Sequence, residues 1–102
     1  MTTETETVDV IFRKWRDGGD IIALFPGDVG DNSPYTCNSY MHVGQHGSAD
    51  PWGVIQATTP ATPEEYGPLL AELRRIGYEP YVIQRCRASH LERRRKLLAL
   101  IK

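Results

Sequence analysis

The side chains best suited to chemistry are gathered in one segment, from Ser39 to Asp50. The segment contains two of the three histidines of the chain, two glycines and several hydrogen-bonding side chains. Histidine titrates near neutral pH, so it can serve as an acid, a base or a metal ligand. Glycines beside polar groups let a backbone come close to a ligand or to another chain. The candidate binding residues are therefore Tyr40, His42, Gln45, His46 and Asp50.

Metal binding and catalysis are two alternative functions for these histidines. His42 and His46 have an H-x3-H spacing, to which Cys37 or Asp50 could add a ligand. That spacing brings two ligands together on a helix, whereas His42 falls on a predicted strand. The segment has no G-x-S-x-G signature and no paired carboxylates, so no nucleophile is identified. We therefore predict no catalytic residue, no metal and no cofactor, and keep a small enzyme or metal site at His42 and His46 as an alternative.

A structural role is the other alternative for the segment, because polar groups of an irregular turn need hydrogen-bond partners. The strand predicted just before the turn favours a binding surface instead. Alternation over Tyr35–Val43 places Thr36, Asn38, Tyr40 and His42 on one face. A polar face of this kind is typical of solvent exposure or of a site.

Positive charge is concentrated towards the C-terminus. Residues 80–102 contain seven bases and one acid, Glu92, although the formal net charge of the chain is only −1. Arg93, Arg94, Arg95 and Lys96 are therefore the candidate phosphate contacts of a nucleic-acid binder. On a helical wheel, however, Arg94 falls within the apolar half, so the charges surround the helix. This distribution favours a surface helix whose late cations complement its dipole.

Length and composition indicate one globular domain. The chain has 102 residues, of which 40% are hydrophobic and 25% charged. No apolar run approaches the roughly 18 residues that a membrane span needs. The acidic, polar first residues are unlike a secretory signal, which predicts a cytoplasmic protein without membrane contact. In that compartment Cys37 and Cys86 are expected to be buried thiols.

Turn residues divide the first half of the chain into three strands. Val8–Trp15 and Ile21–Phe25 are predicted to pair through a tight turn at Gly18-Gly19. Pro26 ends the second strand, and a loop over residues 26–34 precedes the third, Tyr35–Val43.

Irregular structure is expected after the third strand. The glycines and polar residues of the stretch 44–51 predict an irregular loop. Residues 52–57 are predicted to form a short strand or an extended cover, and residues 58–61 lead into the first helix.

Helix signals dominate the second half. Thr62-Pro63-Glu64-Glu65 is a capping box with proline at the first helical position, and Gly77 suits the C-terminal cap. Between them Pro68 predicts a kink or a restart of the helix, because it cannot donate a backbone hydrogen bond. Pro80–Cys86 is the last predicted strand. A second capping box at Ser89–Glu92 predicts a helix to the end of the chain.

The predicted fold is α+β, in the order β-β-β-α-β-α. Hairpin connections predict an antiparallel sheet of about four strands, and two helices, with the apolar stripe of the first helix packed on one face. Residues 1–7 are expected to form a flexible leader. Residues 8–102 are then expected to form a single domain.

Several motifs resemble those of a family of small proteins of unknown function carried on bacterial phages, plasmids and related mobile elements. The matching strings, spread over about three-quarters of the chain, are Ile11-Phe12-Arg13-Lys14, Ala23-Leu24-Phe25-Pro26, Ser39-Tyr40-Met41-His42-Val43-Gly44-Gln45-His46-Gly47, Pro63-Glu64-Glu65-Tyr66 and Gly77-Tyr78. The resemblance implies a bacterial or phage setting and a cytoplasmic location. It implies no activity and no catalytic residue.

We predict a non-enzymatic accessory protein that binds a macromolecular partner through residues 39–50 and the adjacent sheet face. Nucleic-acid binding through the basic C-terminal helix is the first alternative. The partly apolar second face of the first strand leaves the chain either a monomer or a homodimer.

Overall fold

The computed structural model of the protein describes residues 7–41 and 45–101. His42 of the predicted site lies outside these residues, and so does all of the predicted leader except Thr7. No helix of the described chain is both long enough and apolar enough to cross a membrane.

Six strands and three helices follow one another in the described residues. They are β1 (Val8–Trp15), β2 (Ile21–Val29), β3 (Cys37–Met41), β4 (Gln45–Ala49), α1 (Pro51–Ala57), β5 (Thr58–Pro60), α2 (Pro63–Arg75), β6 (Pro80–Val82) and α3 (Ala88–Ile101). The strands form one sheet with the order β4-β3-β2-β1-β5, and β6 also pairs with β1. The α+β class and the antiparallel sheet are confirmed, whereas the predicted four strands and two helices are too few.

The β1–β2 hairpin is confirmed, with Ile11 opposite Leu24 and Lys14 opposite Ile21. Gly18 and Gly19 in its turn both have positive φ, which favours glycine because other side chains are strained there. The second strand runs past Pro26 to Val29, four residues further than predicted. Pro26 is tolerated in a strand that is irregular at this point, since the register with β3 shifts between Phe25 and Val29.

One of the two missed strands, β4, lies beside the missed helix, and the other, β5, follows that helix. Residues 45–49, expected to be an irregular loop, form β4 and pair residue by residue with β3. The next segment, expected to be a strand, begins a helix because the Asp50 side chain accepts the backbone N–H of Trp52 and Pro51 occupies the first turn. Asp50-Pro51 is the same type of helix-start signal as Thr62-Pro63. The glycines and polar residues beside it predicted an irregular loop instead.

The far edge of β1 is shared by two three-residue strands. β5 pairs antiparallel with residues 13–15, and β6 pairs parallel with residues 8–10. The carbonyl of Phe12 accepts from Ala61, and that of Val10 accepts from Ile83. The backbone groups of alternate residues in a strand point to the same edge of that strand. Both short strands therefore lie on the side of β1 away from β2.

One face of the sheet is covered by α2, as predicted. Leu69 and Leu73 of the helix pack with Val10, Phe12, Ala23, Phe25 and Tyr40 of the sheet. The Phe12 and Tyr66 rings stack with their centroids 4.4 Å apart. The capping box at Thr62 and Glu65 is formed, and the helix continues through Pro68 without the predicted restart.

The other face is covered by α1, and α3 packs against β2 on the same side with Arg94 near Cys37. Val54 of α1 packs with Ile11, Ile22, Leu24 and Cys37. The α3 helix begins at Ala88, so Ser89 lies inside its first turn and the predicted second capping box is wrong. Instead, the Nδ1 atom of His90 accepts the backbone N–H of Arg87 at 2.9 Å.

Candidate functional site

The predicted binding residue Tyr40 lies in the core. Its side chain is 2% exposed, and its hydroxyl donates a hydrogen bond to the carboxylate of Glu72 on α2. The polar face expected for the third strand is therefore covered by α2 over this part of the sheet. Tyr40 consequently contributes to the packing of the helix on the sheet and not to an exposed surface.

The other predicted residues lie along or beside β4. Gln45 pairs with Met41, and His46 pairs with Tyr40. Asp50 ends the strand and caps α1, accepting the N–H of Trp52 at 3.1 Å. The structure thus brings Gln45, His46 and Asp50 together at one edge of the sheet, whereas His42 falls outside the described residues.

The cysteines do not provide a nucleophile. Burial raises the pKa of the Cys37 thiol to about 12, so this thiol remains protonated at neutral pH. The pKa of Cys86 is raised by burial as well. Among the residues described, no three His, Cys, Asp or Glu side chains are grouped as metal ligands.

The four basic residues of α3 do not share one surface. Arg94 is 6% exposed, and its guanidinium donates to the backbone carbonyls of Pro26 and Pro34. The stem of Arg93 lies against Gly27, close to the Asp28 carboxylate. Only Arg95 and Lys96 are exposed without such contacts in the described chain. Arg94 is therefore an anchor between α3 and the β2–β3 connection.

A cleft of about 340 Å³ lies between α3 and the start of β1, and it contains a histidine–carboxylate pair. His90 Nε2 lies 3.0 Å from Asp9 Oδ2, and Nδ1 already accepts the Arg87 N–H, so the ring proton is on Nε2 and is donated to Asp9. Both ring nitrogens are therefore engaged within the protein. The pKa of Asp28 in the same cleft is raised by burial, against the opposing effect of Arg93. This pair fixes α3 to β1, and it offers no free base to a substrate.

Two exposed aromatic residues flank the β3–β4 hairpin. Trp52 is 71% exposed and Tyr35 is 65% exposed. Tyr35 lies two residues before Cys37, and Trp52 lies three residues after Ala49. Because Cys37 pairs with Ala49, both aromatic residues lie at the same end of the hairpin, away from its turn.

The loop that carries Tyr35 is fixed to β4 by hydrogen bonds. The Asp31 carboxylate accepts from the Ser48 hydroxyl at 2.9 Å and from the Thr36 hydroxyl at 2.7 Å. These bonds also lower the pKa of Asp31, most strongly through Thr36. We name the outer edge of β4, together with Tyr35 and Trp52, the β4 surface.

Sequence reasoning found part of the β4 surface and missed its aromatic residues. It selected the segment 39–50 for its histidines and glycines, but it placed Trp52 in a short strand or an extended cover. Had Asp50-Pro51 been read as a helix start, burial of Pro51 and Val54 on one face would have left Trp52 outside. Tyr35 had no comparable signal.

Comparisons with protein-family models, with curated proteins and with solved structures found no match. The cleft, the basic helix and the β4 surface are the three candidate sites of the described chain. The first two are built around side chains that bind within the protein. The β4 surface differs, because its large aromatic side chains are exposed and its edge is open in the described chain.

Proposed function

We propose that the protein is a non-enzymatic accessory protein that binds a protein partner through the β4 surface. The observation that carries this proposal is the 71% exposure of Trp52 directly beyond an outermost strand. Tryptophan and tyrosine are enriched among the few residues that dominate binding energy at protein interfaces. A partner that covered Tyr35 and Trp52 would bury large apolar rings at little cost in side-chain entropy.

The rigidity of the surface supports the same proposal. The backbone N–H of Trp52 is bonded to the Asp50 side chain, and the loop that carries Tyr35 is held by Asp31. A preorganised surface loses less conformational freedom on binding than a mobile one. The structural role of Arg94 favours this proposal over nucleic-acid binding by α3, and that of His90 favours it over catalysis in the cleft. A cytoplasmic location also belongs to the proposal, and a setting on a phage or other mobile element rests on the resemblance alone.

The test is affinity capture from a bacterial lysate, with and without nuclease, using tagged wild type, Trp52→Ala, Tyr35→Ala and Tyr81→Ala. Tyr81 is the matched control, because it is 61% exposed but lies on β6 at the opposite edge of the sheet. We expect one protein to be retained after nuclease treatment. Loss of Trp52 should weaken its binding about 10-fold or more, as for a typical hot spot, and Tyr81→Ala should not.

Two outcomes would count against the proposal. Equal capture by Trp52→Ala, Tyr35→Ala and Tyr81→Ala would move the interface elsewhere. Capture that is lost after nuclease treatment would favour nucleic-acid binding. Neutralising Arg95 and Lys96 should then weaken that binding, and the binding should depend steeply on salt. Thermal unfolding of each variant checks that folding is retained.

A further inference from the structure

The two edges of the sheet differ in how they are protected against pairing. At one edge, β5 and β6 have only three residues each and each contains a proline, Pro60 or Pro80. Short strands and prolines are common devices that prevent edge-to-edge association. At the other edge, β4 has five residues with no proline, no lysine, no arginine and no carboxylate, and its pairing with β3 has no bulge. The β4 edge is therefore the unprotected one.

The backbone groups that β4 presents outward can be identified from one side-chain bond. Ser39 Oγ donates to the Gly47 carbonyl oxygen at 2.8 Å, so this carbonyl points towards β3. Neighbouring residues of a strand direct their backbone groups to opposite edges. The N–H and C=O groups of His46 and Ser48 consequently point away from β3, to the side where no strand pairs within the described chain.

These outward groups are arranged symmetrically about Gly47. If a second, identical strand runs antiparallel with Gly47 opposite Gly47, then His46 of each copy lies opposite Ser48 of the other. Each such pair exchanges two backbone hydrogen bonds, so a single two-fold axis satisfies four outward N–H groups and four outward C=O groups. Gly47 on the axis has no side chain, and a Cβ there would meet only Ser39 Oγ, 3.6 Å away within the protein.

Charge does not oppose this arrangement. The net charge of the chain is −1, so repulsion between two copies is small. The Asp31 carboxylate is hydrogen-bonded to Ser48 of its own copy. The two Asp50 residues, which follow β4, would lie at opposite ends of the paired strands. Six residue spacings separate them, about 20 Å, which exceeds the screening length at physiological salt.

We propose that a second copy of this chain pairs with the β4 edge and continues the sheet across a two-fold axis at Gly47. The inference rests on the proposed function, because it names the occupant of part of the β4 surface. The pairing is isologous, so it closes into a dimer and does not continue into a filament.

Sedimentation equilibrium on the full chain tests the pairing with a matched pair of variants. Ser48→Pro removes an outward N–H, whereas Ser48→Ala keeps that N–H and loses only the hydroxyl bond to Asp31. We expect dimers for wild type and Ser48→Ala and monomers for Ser48→Pro. Monomeric wild type across the accessible concentration range would overturn the inference, and so would an undiminished dimer for Ser48→Pro.

Oxidative cross-linking tests the position of the axis, independently of whether Ser48→Pro folds. In Gly47→Cys the two introduced residues would face each other about 4.5 Å apart, within disulfide range. In Ser48→Cys they would be diagonal, about 7–8 Å apart, too far for a bridge. We expect a covalent dimer for Gly47→Cys alone, with wild type as the control for Cys37 and Cys86. Failure of Gly47→Cys to cross-link, or equal cross-linking of Ser48→Cys, would overturn the two-fold axis at Gly47.

The inference and the proposed function can fail separately. Monomeric wild type combined with capture that depends on Trp52 would overturn the second copy and retain a protein partner. A dimer lost in Ser48→Pro, combined with capture unaffected by Trp52→Ala and Tyr35→Ala, would support the second copy and overturn the proposed site for another protein.

Discussion

At the scale of the residue, three polar side chains of the described chain bind within the protein. Tyr40 bonds to Glu72 in the core, His90 bonds to Asp9 and to the Arg87 backbone, and Arg94 bonds to two backbone carbonyls. Composition and spacing select such residues because they are polar, but they do not say whether the partner is the protein or a ligand. For Arg94, the position in the apolar half of the helical wheel already argued against a single basic stripe.

Gly30 is the residue for which the structure predicts the clearest local requirement. A Cβ at Gly30 would lie closer to the Cys37 carbonyl oxygen than van der Waals contact allows, and 2.8 Å from the carbonyl carbon of the same residue. Backbone atoms cannot rotate away, so Gly30→Ala should lower the free energy of unfolding by about 1–3 kcal/mol. Gly67→Ala is the control: nothing lies within 4 Å in α2, and it should raise that free energy by about 0.5–1 kcal/mol. Urea unfolding measures both, and equal effects would contradict the close approach at Gly30.

At the scale of the element, local signals were sufficient where they agreed with one another. The turn at Gly18-Gly19 and the capping box at Thr62 predicted the first hairpin and α2 correctly. Prediction failed at β4, because five polar or small residues form a strand only through pairing with β3, which is a tertiary contact. It failed at β6 as well, where only three of the seven predicted residues are in the strand.

The Glu65 carboxylate at the start of α2 should make the free energy of unfolding depend on pH. Bonds from Lys14 and from the Thr62 backbone lower the pKa of Glu65 to about 2. A carboxylate whose pKa is lowered by folding contributes stability above its ordinary pKa near 4.5, and this contribution is lost as pH falls towards 2. Wild type should therefore be more stable than Glu65→Gln at pH 6, and the difference should shrink between pH 5 and 2. Urea unfolding at each pH measures the difference in free energy of unfolding between the two proteins. A difference that does not change with pH would show that the charge of Glu65 does not cause it.

At the scale of the whole molecule, the described residues protect the sheet on all sides except the β4 edge. Two helices cover one face, α2 covers the other, and two short proline-containing strands occupy the far edge. Beyond the α+β class and the packing of α2 on one face, this arrangement could not be predicted from the sequence, because strand order depends on contacts between distant residues. The location of the site depends on the same contacts, since Tyr35 and Trp52 come to one end of the hairpin only through the pairing of Cys37 with Ala49.

Dimer formation through β4 should make the stability of the molecule depend on its concentration. A dimer that dissociates on unfolding gains stability by mass action, so the midpoint of thermal unfolding should rise with protein concentration in wild type. Ser48→Ala should show the same slope at a slightly lower midpoint, because it loses the bond to Asp31 and keeps the outward N–H. Ser48→Pro should unfold at one temperature at all concentrations. Calorimetry over a 100-fold concentration series measures the three slopes, and a wild-type midpoint that does not move would mean that the β4 edge has no second copy in the folded state.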